Sequence, residues 1–200
     1  DGLISANLTF FHMEIEGLQV ARAIPGNLTS FEVKNAAEAT SEGVELDGFI
    51  FLSETLTLGG NIAYTDATYD DFPDAAGSCP SVGGTLQENG LCNYAGLPLI
   101  YAPELKSSLY LMYNTYTASD WEINARLGVN YTDEQYLEIN YIDTLKNDSK
   151  TIWDASLRLT SPDGDYSFAL VGRNLTEEFS NAWGLQGGFT EYVTPNAPRE

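Results

Sequence analysis

Positive charge is scarce in this chain. Nine Lys and Arg stand against 29 Asp and Glu in 200 residues, a formal net charge of −20. A field of that sign repels phosphate backbones and anionic headgroups, which excludes nucleic acid as a partner. Long apolar runs are also missing. The strongest are short pieces such as Leu97 to Ala102, against the roughly 18 residues that a spanning helix requires. The opening Asp1-Gly2-Leu3-Ile4-Ser5 has none of the sections of a signal peptide, so the expectation is either a protein that stays inside or an excerpt of a longer one. Histidine occurs once, at His12, and nothing around it marks a catalytic base. Nucleophile-elbow and phosphate-loop patterns are absent, so no enzyme and no cofactor is expected.

Cysteine is nearly absent as well. Cys79 and Cys92 enclose a stretch rich in Gly, Ser, Pro and Asn, with no further Cys or His nearby to complete a zinc site. A loop-closing disulfide is the favoured reading over two free thiols. It implies an oxidising compartment and removes roughly 3 kcal/mol of entropy from the open loop.

What the chain has in abundance is alternation. Trp121, Ile123, Ala125, Leu127, Val129 and Tyr131 interleave with Glu122, Asn124, Arg126, Gly128, Asn130 and Thr132. Leu56, Leu58, Gly60, Ile62 and Tyr64 repeat the pattern, as do Trp153, Ala155, Leu157 and Leu159, and Leu109, Leu111 and Tyr113. Val44, Leu46 and Ile50 oppose Glu45 and Asp47 in the same way. Period two with one apolar side is the signature of strands, and no comparable helical stripe occurs. Seven strands are expected near 3–16, 35–52, 55–69, 104–116, 121–136, 150–160 and 165–175.

The connections have a period of their own. Tight turns at Ser53-Glu54, Thr117 to Asp120 and Ser161 to Gly164 alternate with long loops at 17–34, 70–103, 137–149 and 176–198. Sorting loops by length has a reason in an up-and-down transmembrane barrel, whose turns are short on one side and extended on the other. Several expected strands exceed the usual 5 or 6 residues of a soluble domain. Trp121, Tyr64, Tyr113, Tyr131 and Trp153 suit interfacial girdles. The charged opposite faces, with Glu122, Arg126, Asp154, Arg158 and Lys106, suit a hydrated lumen.

Several ordered signatures support a family resemblance. Ser5 to Phe11 with Glu16 to Val20, then Asn35 to Leu46, then Leu56 to Tyr69, then Ala102-Pro103, Gly172 to Phe179 and Pro198-Arg199 resemble the C-terminal barrel of a TonB-dependent outer-membrane receptor. The resemblance implies an all-β, antiparallel, up-and-down transmembrane barrel segment. Its seven strands would be the fifteenth to the twenty-first of 22, with residues 1–200 forming one partial barrel domain. It departs from the family where no terminal aromatic strand follows Pro198-Arg199 and no plug domain or TonB box precedes Asp1. An arc with two open edges is not expected to be stable in lipid by itself. The implied role is import of a scarce nutrient of siderophore, cobalamin or oligosaccharide type. The implied partners are outer-membrane lipid, the rest of the barrel and its plug, TonB through that plug, and the small-molecule nutrient, at the bacterial outer membrane. A passive porin or structural outer-membrane barrel, and a secreted carbohydrate-binding β-sandwich, are the alternatives.

Within that frame the loop from Asp70 to Pro103 is the most individual segment, acidic and without Lys or Arg. Its reading is either a disulfide-tied surface loop or a ligand gate in which Tyr69, Phe72, Tyr94 and Tyr101 offer stacking faces. Tyr136, Tyr141, Trp183 and Phe189 are further candidates for a substrate path or for girdle packing. Asp66, Asp70, Asp71 and Asp74 are oxygen ligands in principle, but their spacing fits no EF-hand, and no metal site is expected. Glu122 and Asp154 are read as structural ion-pairing acids near Arg126 and Arg158, not as a glycosidase pair. Five sequons, at Asn7, Asn27, Asn130, Asn147 and Asn174, support the sandwich alternative, although three fall inside expected strands.

Overall fold

The computed structural model describes residues 3–24, 27–75, 79–187 and 190–196. Seven strands form one antiparallel sheet in sequential order: β1 (Ile4–Ile24), β2 (Asn27–Phe51), β3 (Leu56–Asp71), β4 (Leu105–Tyr116), β5 (Glu122–Thr132), β6 (Lys150–Thr160) and β7 (Ser167–Gly172). Each strand pairs with its neighbour in sequence, and β1 and β7 have a single neighbour each, so the sheet is an open arc. A separate hairpin, β8 (Asn181–Gly187) with β9 (Thr190–Pro195), follows. Among the described residues the only helical element is a 3₁₀ turn at Asp143–Leu145.

Register carries the apolar alternation across all seven strands. Phe10 lies opposite Val44, which lies opposite Tyr64. Leu58 pairs with Leu111, Leu111 with Leu127 and Leu127 with Ala155. Leu157 then pairs with Leu170. These side chains stay open: Phe10 and Leu170 are both 74% exposed. No second layer covers this face among the described residues, so it is not the inside of a sandwich. A continuous oily face of this size exceeds the few hundred Å² that a water-soluble monomer tolerates, and lipid is the solvent that suits it. On β3 it runs from Leu56 to Tyr64, about 26 Å of strand or about 20 Å of height at the roughly 40° tilt of such barrels, close to the ~25 Å apolar band of a bilayer-spanning wall.

The opposite face is polar and internally bonded. The Asn7 amide donates to Asp47 at 2.9 Å, and Asn124 donates to Asn114 at 2.9 Å. The Arg126 guanidinium lies 4.2 Å from the centre of the Tyr110 ring. Turns on the short side close by local bonds. Ser161 Oγ donates to Asp163 and accepts from the Tyr166 N–H at 3.0 Å, while Thr117 Oγ1 accepts from the Trp121 N–H at 3.0 Å.

The other side departs from the sequence reading. In place of the expected loop 17–34, β1 continues to Ile24 and β2 starts at Asn27, and the two pair along this length and reach 21 and 25 residues. At roughly 3.3 Å per residue that is about 70 and 80 Å of strand, far more than the 9 to 11 residues a bilayer takes. Gly17, at φ 66°, is what hides the continuation. It sits in a bulge that places three steps of β1, from Ile15 to Leu18, against two of β2, and so breaks the alternation in the sequence.

The expected strand 121–136 ends at Thr132, where the Asp133 carboxylate accepts from the Glu134 N–H at 2.9 Å. Gln135–Tyr136 pairs instead with Lys146–Asn147, so 137–145 is the tip of a small hairpin. The expected strand 165–175 ends at Gly172, because Asn174 takes φ 48° and its N–H turns to the Asp154 carboxylate at 2.9 Å. The expected loop 176–198 contains β8 and β9. Pro198-Arg199 lies outside the described residues.

Candidate functional site

Where β1, β2 and β3 rise past the apolar belt, their polar-side positions become small or apolar. Ile15 pairs with Ala39 and Ala39 with Tyr69, in the file that carries Asp47 and Asn61 lower down. The segments 72–75, 79–104 and 133–149 fold onto this face and give it a core of Val20, Ala37, Ala39, Tyr69, Phe72 and Tyr94, with Cys92, Leu97 and Tyr141 around them. The outer loops therefore lie over the lumen side of the wall. Aromatic rings run through the core in contact. Tyr69 meets Phe72 at 5.0 Å, Phe72 meets Tyr94 at 5.3 Å, Tyr94 meets Tyr141 at 5.7 Å and Tyr141 meets Tyr136 at 5.1 Å between ring centres. Tilted and edge-on contacts of this kind contribute about 0.5–1.5 kcal/mol each beyond the area they bury.

Polar groups fix the loops in place. The Asn93 side chain accepts from the Phe72 and Ala95 N–H groups at 3.1 and 2.9 Å and donates to Asp71 at 2.7 Å. The Tyr141 hydroxyl donates to the Pro98 carbonyl and ties the two loops together. Cys79 and Cys92 form a disulfide, and Cys92 is fully buried in the core. Asn147 and Asn181 exchange two bonds, at 2.7 and 3.0 Å, which dock β8 beside the second loop. A Cβ on Gly184 would stand 3.1 Å from Leu145 and 3.3 Å from Leu137, so either side chain would have to give by a few tenths of an ångström to admit one.

The candidate aromatics divide. Tyr69, Phe72, Tyr94 and Tyr141 are at most 4% exposed and spend their faces on one another. Burial pushes the Tyr94 phenol up to about 12, with the nearby Glu138 charge adding to it, and raises Tyr141 as well. Tyr101 and Trp183 are open, at 39% and 44% exposure. Tyr136 is half-buried, with Lys146 Nζ 5.4 Å from its ring centre. Phe189 lies outside the described residues. Tyr101, Trp183, Tyr69, Leu18, Val20 and Glu138 line a cavity of about 500 Å³.

Glu138, Leu18 and Val20 escaped the sequence reading. The two apolar residues lie in the expected loop 17–34, and the signal at Glu138 is an acid set between Leu137 and Ile139 in an otherwise apolar run. Its carboxylate accepts from the Asn140 N–H at 2.7 Å and from the Asn140 amide at 3.0 Å. Burial nevertheless holds the carboxyl above the usual carboxylate range.

The remaining acids and sequons take local roles. Asp70 accepts from Thr40 at 2.7 Å, Asp71 from Asn93, and Asp74 from Asn89 at 2.7 Å. Glu122 accepts from the Asn124 amide two residues along β5 at 3.1 Å, and Asp154 from the Asn130 amide across the β5–β6 pair at 3.2 Å, in place of the expected Arg126 and Arg158, because these nearby amides reach them first. Asn7, Asn130, Asn147 and Asn174 all make side-chain hydrogen bonds, and the last two are buried. Nothing is described for the Asn27 side chain.

Residues 1–175 match the family model described as TonB dependent receptor-like, beta-barrel. The chain belongs to that family. TonB-dependent receptors are receptors and transporters of the outer membrane of Gram-negative bacteria, not enzymes, and they bind small-molecule nutrients and TonB and carry a plug. Solved structures agree in fold. The ferric yersiniabactin uptake receptor FyuA from Yersinia pestis superposes at a TM-score of 0.75 with 15% identity, covering 100% of this chain and 26% of that one. The ferric preacinetobactin receptor BauA from Acinetobacter baumannii gives 0.65 at 18% identity, over 99% and 26%. The ferric-catecholate import receptor Fiu from Escherichia coli K12 gives 0.64 at 17%, over 100% and 24%. This TonB-dependent receptor chain thus spans about a quarter of the length of the structures it resembles. Among curated proteins none matches the sequence.

Proposed function

We propose that this chain supplies part of the wall and of the outer-loop cap of an outer-membrane receptor that captures a scarce small molecule of siderophore type and imports it at the expense of TonB-delivered energy. The observation that carries the reading is the cap. Two outer loops fold over the lumen side, hold a buried aromatic core and leave a cavity beside it. A mouth built in this way restricts and recognises what passes, whereas a passive porin works best with its mouth open. Siderophore-receptor names among the structural neighbours support the substrate type. Within the cap, Tyr101, Tyr136 and Trp183 are the ligand-facing aromatics, and Tyr69, Phe72, Tyr94 and Tyr141 are the scaffold that holds them.

The test is uptake of labelled ferric siderophores by cells carrying a closed receptor with these residues, in TonB-containing and TonB-deficient backgrounds. Uptake is expected only with TonB, and Tyr101→Ala with Trp183→Ala should lower it by about tenfold, equivalent to about 1.4 kcal/mol of binding. Uptake that persists without TonB points to a passive pore and overturns the reading.

A further inference from the structure

The cavity beside the outer-loop core has one charged lining residue, Glu138. Gln19 adds an uncharged polar residue, and the other walls are apolar or aromatic, with Leu18 and Val20 from β1 and the open rings of Tyr101 and Trp183. Glu138 itself is 8% exposed. A carboxylate offers about four lone-pair positions; Asn140 takes two of them and the Ile139 N–H a third. The acid therefore keeps accepting capacity where it lines the cavity.

Buried charges are normally paired. The ion pairs of His12 with Glu14 and Glu42, of Lys34 with Glu32 and of Lys146 with Glu134 do not involve Glu138. The tyrosines nearest in charge, Tyr94 and Tyr141, are neutral phenols whose ionisation burial opposes. The Tyr94 hydroxyl is buried with no hydrogen-bond partner of its own. The segment 70–103 adds Asp70, Asp71, Asp74 and Glu88 and no Lys or Arg. Such a field concentrates cations at the mouth and repels anions, and aromatic faces favour a cation again.

We propose that this cavity takes a cationic, flat apolar portion of the imported molecule, with an ammonium or amidinium-type group on Glu138 and its apolar body against Tyr101 and Trp183. The inference rests on the import reading above and narrows it to ligands whose part facing this wall is positive, not anionic.

The test uses a closed, detergent-purified receptor carrying these residues and three probes of one shape: 1-naphthylmethylamine, 1-naphthalenemethanol and 1-naphthoate, followed by saturation-transfer NMR and calorimetry. The amine is expected to bind at least about tenfold more tightly than the carboxylate, with the alcohol between them. Glu138→Gln keeps an acceptor for Asn140 and should bring the amine to the level of the alcohol while leaving the alcohol unchanged. Trp183→Ala should weaken all three. Equal affinities, a preference for naphthoate, an amine preference that survives Glu138→Gln, or no binding of any probe overturns the proposal. Energised uptake is measured in parallel. Probe failure with intact TonB-dependent uptake sinks this inference alone, and loss of TonB dependence with the amine preference intact sinks the import reading alone.

Discussion

The wall and the cap are held by different physics. From Leu56 to Tyr64 and across its neighbours, the wall has its backbone ladder satisfied but buries almost no apolar side chain, since its oily face awaits lipid. The cap is the reverse. Among the described residues the buried apolar ones, such as Ala37, Ala39, Tyr69, Phe72, Leu91, Tyr94 and Leu145, gather at the outer end, where two irregular loops pack as a small water-soluble protein does. The lesson is that one sheet serves two solvents. The alternation that exposes Leu58 to hydrocarbon also leads, further along the same strands, to Tyr69 in a core excluded from water.

The sharpest way to break the comparison is to empty the cap. Phe72→Ala should cost about 3–5 kcal/mol of local stability through a cavity in contact with Tyr69 and Tyr94. Hydrogen exchange is expected to show the 72–104 segment opening while the wall stays protected and the receptor stays heat-modifiable on a gel. A charge in the wall should do the opposite. Leu109→Arg should cost about 2–4 kcal/mol near the bilayer midplane, read as lost folding into vesicles, with the cap's exchange protection unchanged in molecules that do insert.

Replacing both Cys79 and Cys92 with Ser should loosen the cap by up to about 3 kcal/mol, seen as faster proteolysis between residues 72 and 104 with no change in the wall. The smallest effect concerns acid. Burial raises the Glu138 carboxyl above its ordinary value of 4.5, so the folded cap holds that proton more tightly than an opened loop does. Its contribution is fully present below pH 4.5 and is lost as pH rises through the raised value. Cap exchange corrected for intrinsic rates should therefore slow as pH falls through that window, and Glu138→Gln should remove the dependence.

Legibility in the sequence follows the same division. The wall could be read because each strand meets a single solvent on each face, so Leu109, Leu111 and Tyr113 declare themselves by period alone. The cap could not. Tyr94 and Tyr101 lie seven residues apart in one loop, and nothing local tells which ring another loop will cover. Tyr94 is buried against Tyr141, a partner that only the second loop brings. The upper hairpin of β1 and β2 was missed for a different reason. Gly17 inserts a residue that breaks the period at the point where the strand leaves the membrane, and a broken period reads as a loop. The disulfide was legible because two half-cystines with no other partners leave few options.

Gly17 also sets what kinds of genetic change this region tolerates. Below the bulge the inward side chains of β1 are odd-numbered, ending at Ile15, and above it they are even-numbered, at Leu18 and Val20. Exchanging the side chain at Glu16 leaves that phase alone. Deleting Glu16 spares it too, because two steps from Ile15 to Leu18 then face two of β2 and the ladder closes without a bulge, leaving Leu18 and Val20 on their side. A codon lost from the middle of an unbulged strand such as β4 instead turns its alternation over.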